Sequence, residues 1–173
     1  MSTIVVNRVT NANVLFDGKS MLGRAEEIDL PDVKFTTAEH KALGMQGKLE
    51  LPTGIEKMEA QFRWNSFYPD VMSRIPNPYT FVSLQVRTSV ETWDATGRTT
   101  QSARVVFLSG GFKEFSSGKY KPHDNAQFPS KMNVVYIKDV LDGRELYEID
   151  VMANIYKVDG VDLMAQFRTN LGI

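Results

Sequence analysis

The sequence predicts a mainly β fold, an antiparallel β-sandwich or partial barrel with one short packing helix, and three observations carry that prediction. Apolar residues recur with a period of two through most of the long stretches, as they do in strands with one buried and one polar face. Asp-Gly pairs fall between such stretches, where a tight hairpin needs residues that tolerate positive φ. A single short segment, bracketed by Pro69 and Pro76, sets its apolar residues at helical spacing.

The elements follow in chain order. Asp17-Gly18 marks the first hairpin turn. The stretch from Thr37 to Lys57 has no clear period and mixes Gly44, Gly47, Pro52 and Gly54 with Leu43, Met45, Leu49, Leu51 and Ile55. It is read as a long loop, and a loop of that length in a compact domain is usually functional. Its apolar side chains gain stability only when something covers them. Next, Met58, Ala60, Phe62 and Trp64 alternate with Glu59, Gln61 and Arg63, which predicts a strand. The helix is predicted from Tyr68 to Ile75, with Asn65 or Ser66 as its cap and Pro76 as its stop. Val71, Met72 and Ile75 then share a face that plugs an open end of the sheet.

From Phe81 onward Val82, Leu84, Val86 and Val90 interleave with Ser83, Gln85, Arg87 and Glu91. At roughly 3.3 Å per residue a run of about 13 residues extends about 40 Å, which suits a curved sheet or a barrel wall. The turn Asp94 to Gly97 sends the chain back along Arg98 to Leu108, and Gly110-Gly111 reads as a bulge or a strand end. Met132 to Leu141 and Arg144 to Val158 form a further predicted hairpin across Asp142-Gly143, a type I′ turn, and a short polar tail closes the chain.

Composition narrows the function. A chain of 173 residues with 42% hydrophobic content supports one domain with a real core, taken as residues 1–173. The absence of cysteine excludes disulfide staples, cysteine-based zinc sites and thiol catalysis, and it suits assembly in a reducing cytoplasm. A net charge of -1, from 20 basic and 21 acidic residues, supplies no global field to draw the chain onto nucleic acid or anionic membrane. The short apolar run Ile4 to Val6 lacks the basic region and cleavage site of a signal peptide, and no apolar run reaches the roughly 18 residues of a membrane span.

No constellation marks a reaction. His40 and His123 stand in separate loop-like segments without neighbouring ligands, where a zinc site needs about three or four. SSGKYK at Ser116 to Lys121 lacks the first glycine and the Ser or Thr of a phosphate loop. Lys113, Lys119 and Lys121 interleave with Phe112, Phe115, Tyr120 and Phe128 as in a single-strand nucleic-acid platform, but inward-packing aromatics beneath a solvated loop give the same pattern. Glu26-Glu27 and the pair Glu148 and Asp150 are paired acids, which the polar face of any half-buried strand also supplies. No residue is assigned as catalytic, cofactor-binding or metal-ligating.

Four patches carry a family resemblance. They are TNANVLFDGKSMLG leading into IDLPDV from Thr10 to Val33, LGMQG at Leu43 to Gly47 with GIEKMEAQF at Gly54 to Phe62, GGFKEFSSGKYK at Gly110 to Lys121, and DGRELYEID with NIYKVDGVDLMAQFRTNLGI between Asp142 and Ile173. In this order and spacing the chain resembles the major tail tube protein of contractile-tailed bacteriophages and R-type bacteriocins over nearly its whole length. Pro76 to Pro78, Pro122 to Pro129 and the first few residues depart from the pattern.

The resemblance implies a structural protein whose subunits close into a continuous inner barrel, form hexameric rings and stack into the tube of a phage tail or tailocin. It implies partners as well: further copies of itself, the sheath protein, baseplate and tail terminator proteins, the tape measure protein, and double-stranded DNA that passes through the lumen without specific binding. It implies synthesis in the bacterial host cytoplasm, a place in the virion, no membrane anchor, no cofactor and no bond chemistry. The related tube protein of type VI secretion shares the architecture, and EIDVMANIYKVDGVD is closer to the phage type. A monomeric β-barrel module binding an oligonucleotide or another ligand is the alternative class; long unblunted strands argue against it.

On this reading the 37–57 loop, through Leu43, Gly44, Met45, Leu49, Leu51 and Ile55, makes the contact between rings. The lumen, where DNA slides without sticking, draws its wall from acidic or neutral strand faces, with Gln85, Glu91, Glu148 and Asp150 as candidates.

Overall fold

The computed structural model describes residues 4–173. The first strand, β1 (Val6–Phe16), turns at Asp17-Gly18 into the two-residue β2 (Lys19–Ser20), and β3 (Ala25–Asp29) follows. β4 (Phe35–His40) and β5 (Leu49–Ile55) pair only with each other. The segment read as an irregular loop is therefore a hairpin, an arm whose closed base is marked by the bond from Glu56 N–H to Lys34 O at 2.8 Å. β6 (Met58–Trp64) shows the predicted alternation, with Met58, Ala60, Phe62 and Trp64 all buried.

The helix α1 (Pro69–Met72) is shorter than predicted, though helical bonding continues to Ile75 N–H. Tyr68 caps it without a side-chain bond, and neither Asn65 nor Ser66 does so. Asn65 is taken up elsewhere, its Nδ2 donating to Gly23 O at 2.8 Å. Val71 and Ile75 are buried in the core as expected of a plug, and Met72 packs against it.

β7 (Val82–Asp94) and β8 (Gly97–Phe115) form the longest hairpin. β8 does not stop at Leu108. It passes through a register shift at Ser109/Gly110, which makes the glycine pair a bulge inside a 19-residue strand. The reason for glycine is close approach: a Cβ on Gly110 would lie 1.9 Å from the Asn133 carbonyl oxygen. β9 (Phe128–Leu141) follows β8 for its whole course, and its other edge is shared between β6 at Phe128–Val134 and β10 (Arg144–Asp150). That division of one strand between two partners curls the sheet over its own core.

The predicted strand from Arg144 to Val158 is broken. Asp150 Oδ1 accepts the N–H groups of Met152 and Ala153 at 2.9 and 3.0 Å, and Asn154 adopts a φ of 52°. This Asx-type turn reverses the chain into β11 (Ile155–Val158), which pairs back on β10. Asp159-Gly160, another turn with positive φ at both positions, leads to β12 (Val161–Asp162). The tail read as short and polar is a second helix, α2 (Ala165–Leu171), ended by Gly172 at φ 72°. Arg168 fastens it, bonding Asp162 at 2.6 Å and Asn154 O at 2.8 Å.

The main sheet runs β12-β11-β10-β9-β8-β7-β1-β2, with β3 and β6 joined through β9. One face of it meets β6 and α1 around Phe16, Phe62, Trp64 and Phe112, whose rings lie about 6 Å apart. Two buried polar pairs here are satisfied, Trp64 Nε1 donating to Ser130 Oγ at 3.1 Å and Asp139 taking a bidentate Arg104 at 3.0 and 2.6 Å, while Thr88 Oγ1 is buried without a partner among the described residues.

Candidate assembly surfaces

Three surfaces stand out because the fold leaves them uncovered. The first is the edge of β1. Beyond the short cover that β2 and Met21 give to Val14–Phe16, β1 is paired among the described residues only with β7, so Val6 to Asn13 present an open strand edge there. A register shift between Val9 and Ala12 re-aims its outer half, and Val6 and Val9 are exposed there. The opposite end of the sheet is closed off by β12 and α2, yet Val158, Val161, Leu163 and Phe167 remain exposed on it. Open edges and apolar ends of this kind are templates for a further chain.

The second surface is the arm. Its turn-forming segment, residues 41–48, carries Lys41 and Lys48 and no acid. Leu43 is fully exposed, with Met45, Leu49 and Leu51 at 43–46%, and Ile55 is partly covered at the base. Gly44, at φ 87°, allows the turn. One aromatic contact, Phe35 on Tyr156 at 6.0 Å, ties the arm's first residue to β11. At its base lies an open cleft of about 670 Å³ between the end of β3 and the start of β6. Glu59 sits beside that cleft and is shared by Lys57, at 2.8 Å, and by Lys113 of β8. The two ammonium groups, Lys113 first, hold its carboxyl down at about 2.

The third surface is the face of the main sheet turned away from the core. Cross-strand pairing sets Gln85 opposite Phe107, Phe107 opposite Lys138, Lys138 opposite Glu148 and Glu148 opposite Lys157. Glu91 lies on this face opposite Gln101, and Asp150 opposite Tyr136. The structure thus brings Gln85, Glu91, Glu148 and Asp150 to one face. Three cations there are paired, Lys138 with Glu145 at 2.7 Å, Lys157 with Glu148 at 2.6 Å and Arg98 with Glu91 at 2.9 Å, while Arg87 on the same face donates to Gln85 at 3.1 Å. Lys157, with a further bond from Tyr136, holds the Glu148 carboxyl below its usual range. Glu91 is likewise lowered, by Arg98 first and then Trp93.

Among the turns, Asp142 and Gly143 show φ of 48° and 83°, and Asp17 and Gly18 show 46° and 81°, as the hairpin reading requires. Each aspartate does more than turn the chain. Asp142 Oδ1 accepts Ala103 N–H at 2.7 Å and Asp17 Oδ1 accepts Ser83 N–H at 3.1 Å, so each turn is fastened to a third strand. Of the aromatics and lysines weighed as a single-strand platform, Phe112 and Phe128 are core residues and Lys113 is engaged with Glu59, whereas Phe115 and Tyr120 are exposed, so inward packing holds for two of the four aromatics. His40 ends β4 and His123 lies in the loop before β9. Glu26 accepts from Gln127 and Glu27 pairs with Arg63. Sequence reasoning missed the cleft, whose parts come from distant segments, and the turn Asp159-Gly160, which the same Asp-Gly signal marks.

The profile of the phage tail tube protein FII family matches residues 6–172. The tail tube protein of Escherichia phage P2 is 31% identical over 169 residues, covering 93% of this chain and 94% of that protein. The major tail tube protein of Serratia phage KSP20 is 24% identical over 149 residues, covering 85% and 84% respectively. Among solved structures, a chain of the sheath-tube complex of the PVC extracellular contractile injection system superimposes with a TM-score of 0.57 at 12% identity, covering 75% of this chain and 86% of that one. A chain of the sheath/tube terminator of the same system gives 0.58 at 11% identity, covering 75% and 91%.

Proposed function

Since the chain belongs to the phage tail tube protein FII family, a structural family of contractile phage-like tails, we propose that it assembles into hexameric rings that stack into the inner tube of a contractile tail. The observation that carries this reading is the open edge of β1 at one end of the main sheet, facing away from an apolar, helix-capped far end. The two ends differ, so contact between copies is heterologous, and a heterologous contact closes into a ring when its rotation divides the circle. Closure removes the open edge in every copy at once.

In that ring the sheet face bearing Gln85, Glu91, Glu148 and Asp150 lines the lumen. Lys138, Lys157 and Arg98 are occupied by carboxylates on the same face, which lowers the number of cations that could hold the phosphates of passing DNA. The arm contacts the adjacent ring through Leu43, Met45, Leu49 and Leu51. The sheath lies outside, the terminator, baseplate and tape measure proteins meet the tube along its length and ends, and the assembled protein is part of the virion. The tube conducts DNA during ejection or punctures an envelope in a headless particle.

Negative-stain microscopy of the purified chain tests the reading. Rings or hollow tubes are expected. A monodisperse monomer at concentrations of tens of micromolar and above would overturn it and favour the monomeric barrel.

A further inference from the structure

We propose that the tip of the arm of one copy docks into the cleft at the arm base of the next copy along the tube axis, Lys41 of the tip meeting carboxylates of the cleft. The inference rests on the tube reading above and deepens it by naming the receptor for the arm.

Charge complementarity selects the occupant. Residues 41–48 carry Lys41 and Lys48 without an acid among them. The cleft is lined by Asp29, Asp32, Glu56 and Glu59 against only Lys34 and Lys57. Lys34 lies 3.9 Å from Asp32 and Lys57 2.8 Å from Glu59. Asp29 and Glu56 are then left without a cationic partner among the described residues; at the tip Lys48 is engaged by Glu39 of its own arm at 3.1 Å, which leaves Lys41 as the tip lysine without a carboxylate partner among the described residues. The apolar content matches as well. Leu43 projects fully exposed between the lysines, and Leu30, partly covered, offers apolar surface in the cleft. A volume of about 670 Å³ accommodates several side chains of a turn.

The occupant is another copy rather than the same chain. Six or seven residues of strand separate tip from base, and at roughly 3.3 Å per residue the tip stands about 20 Å from its own cleft. Tip and cleft are different surfaces, so the contact repeats head to tail without end, which is the symmetry of a stack.

Because the chain has no cysteine, a pair of introduced thiols reports the contact without background. In the full chain carrying Leu43→Cys and Leu30→Cys, a short bis-maleimide should convert assembled tubes into a ladder of multimers on denaturing gels. Either substitution alone should give nothing larger than a dimer. Tubes without a ladder would overturn the docking while leaving the tube reading intact. A parent chain that forms neither rings nor tubes would overturn both.

Charge reversal supplies the second arm of the test. Lys41→Glu and Glu56→Lys should each raise the concentration needed for tubes about tenfold or more, and the two in one chain should restore it. Failure of the double variant to recover, when each single variant is folded, would also overturn the proposal.

Discussion

The β7–β8 hairpin and the β4–β5 arm are both antiparallel pairs from one chain, and they differ in where their apolar side chains go. In the first, Val82, Leu84, Val86, Val106 and Leu108 are buried against β6 and α1. In the second, Phe35, Leu49 and Leu51 lie exposed, and only Ile55 at the base is partly covered. An isolated two-stranded hairpin is marginal in water, so on the proposed reading the arm gains further cover from a neighbouring copy, whereas the main sheet carries its own. The contrast separates what folds the subunit from what joins subunits, and each variant below strikes one side of it.

The largest effect on melting is expected at the sheet's bulge. Gly110→Ala drives a methyl group toward backbone atoms, the Asn133 carbonyl first, that no rotamer change can move aside. Overpacking of this kind costs about 3 kcal/mol, which for a chain of this size lowers the melting temperature by roughly 6–12 °C. A melt within a degree of the parent would mean that β8 and β9 can separate at this point without loss.

Next comes the Asp142-Gly143 turn. Nothing crowds a Cβ at Gly143, so the strain of Gly143→Val is conformational, from a β-branched residue held at φ 83°. The cost is about 2 kcal/mol. It loosens the β9–β10 register and, with it, the bond from Ala103 N–H to Asp142. Reduced soluble yield and loss of rings should appear together, while Lys119→Ala, in the loop before β9, changes neither. Circular dichroism melts and microscopy of both variants check this.

How far the sequence shows these two regions follows from their physics. β6 and β7 were legible because a strand with one buried face writes its burial as alternation, and Met58 to Trp64 do so without exception. The turns at Asp17 and Asp142 were legible because positive φ restricts the residue types. The arm was not, since a hairpin exposed on both faces has no alternation to write, and it read as an irregular loop. The break after Asp150 depends on a side chain bonding two backbone N–H groups, which leaves no periodic trace in the sequence. Leu43, Met45, Leu49 and Leu51 were singled out despite this, through apolar content in a Gly-rich segment, and the structure shows them exposed. The cleft was beyond reach because its lining joins the end of β3 to the start of β6 across the whole arm.

Where the two regions meet, Glu59 links Lys57 at the arm base to Lys113 on β8. Its carboxyl titrates near 2 in the folded chain, below the ordinary value of 4.5. A depressed folded value means that the bridge contributes fully above the ordinary value and is lost as pH falls through about 2. Glu59→Gln should therefore melt slightly below the parent at pH 7, and the gap should close toward pH 2. A gap of equal size at both pH values would show that packing, and not the charge, is what the substitution disturbs.

The smallest effect on melting, and the sharpest test of the contrast, is expected from removing the arm's tip together with the first half of β5. Deleting Ala42 to Pro52 takes away most of the exposed apolar residues of the hairpin and leaves Phe35 on Tyr156 and Ile55 at the base in place. None of the deleted residues belongs to the core cluster, so the melting temperature should stay within about 2 °C of the parent, the range of surface changes that touch no packed feature. Assembly should respond in the opposite sense: rings should still close through the sheet ends, which the deletion leaves untouched, but they should not stack. Microscopy that found full-length tubes would transfer the stacking contact to the sheet or to α2, and a large drop in melting temperature would show the arm to be part of the folding unit after all.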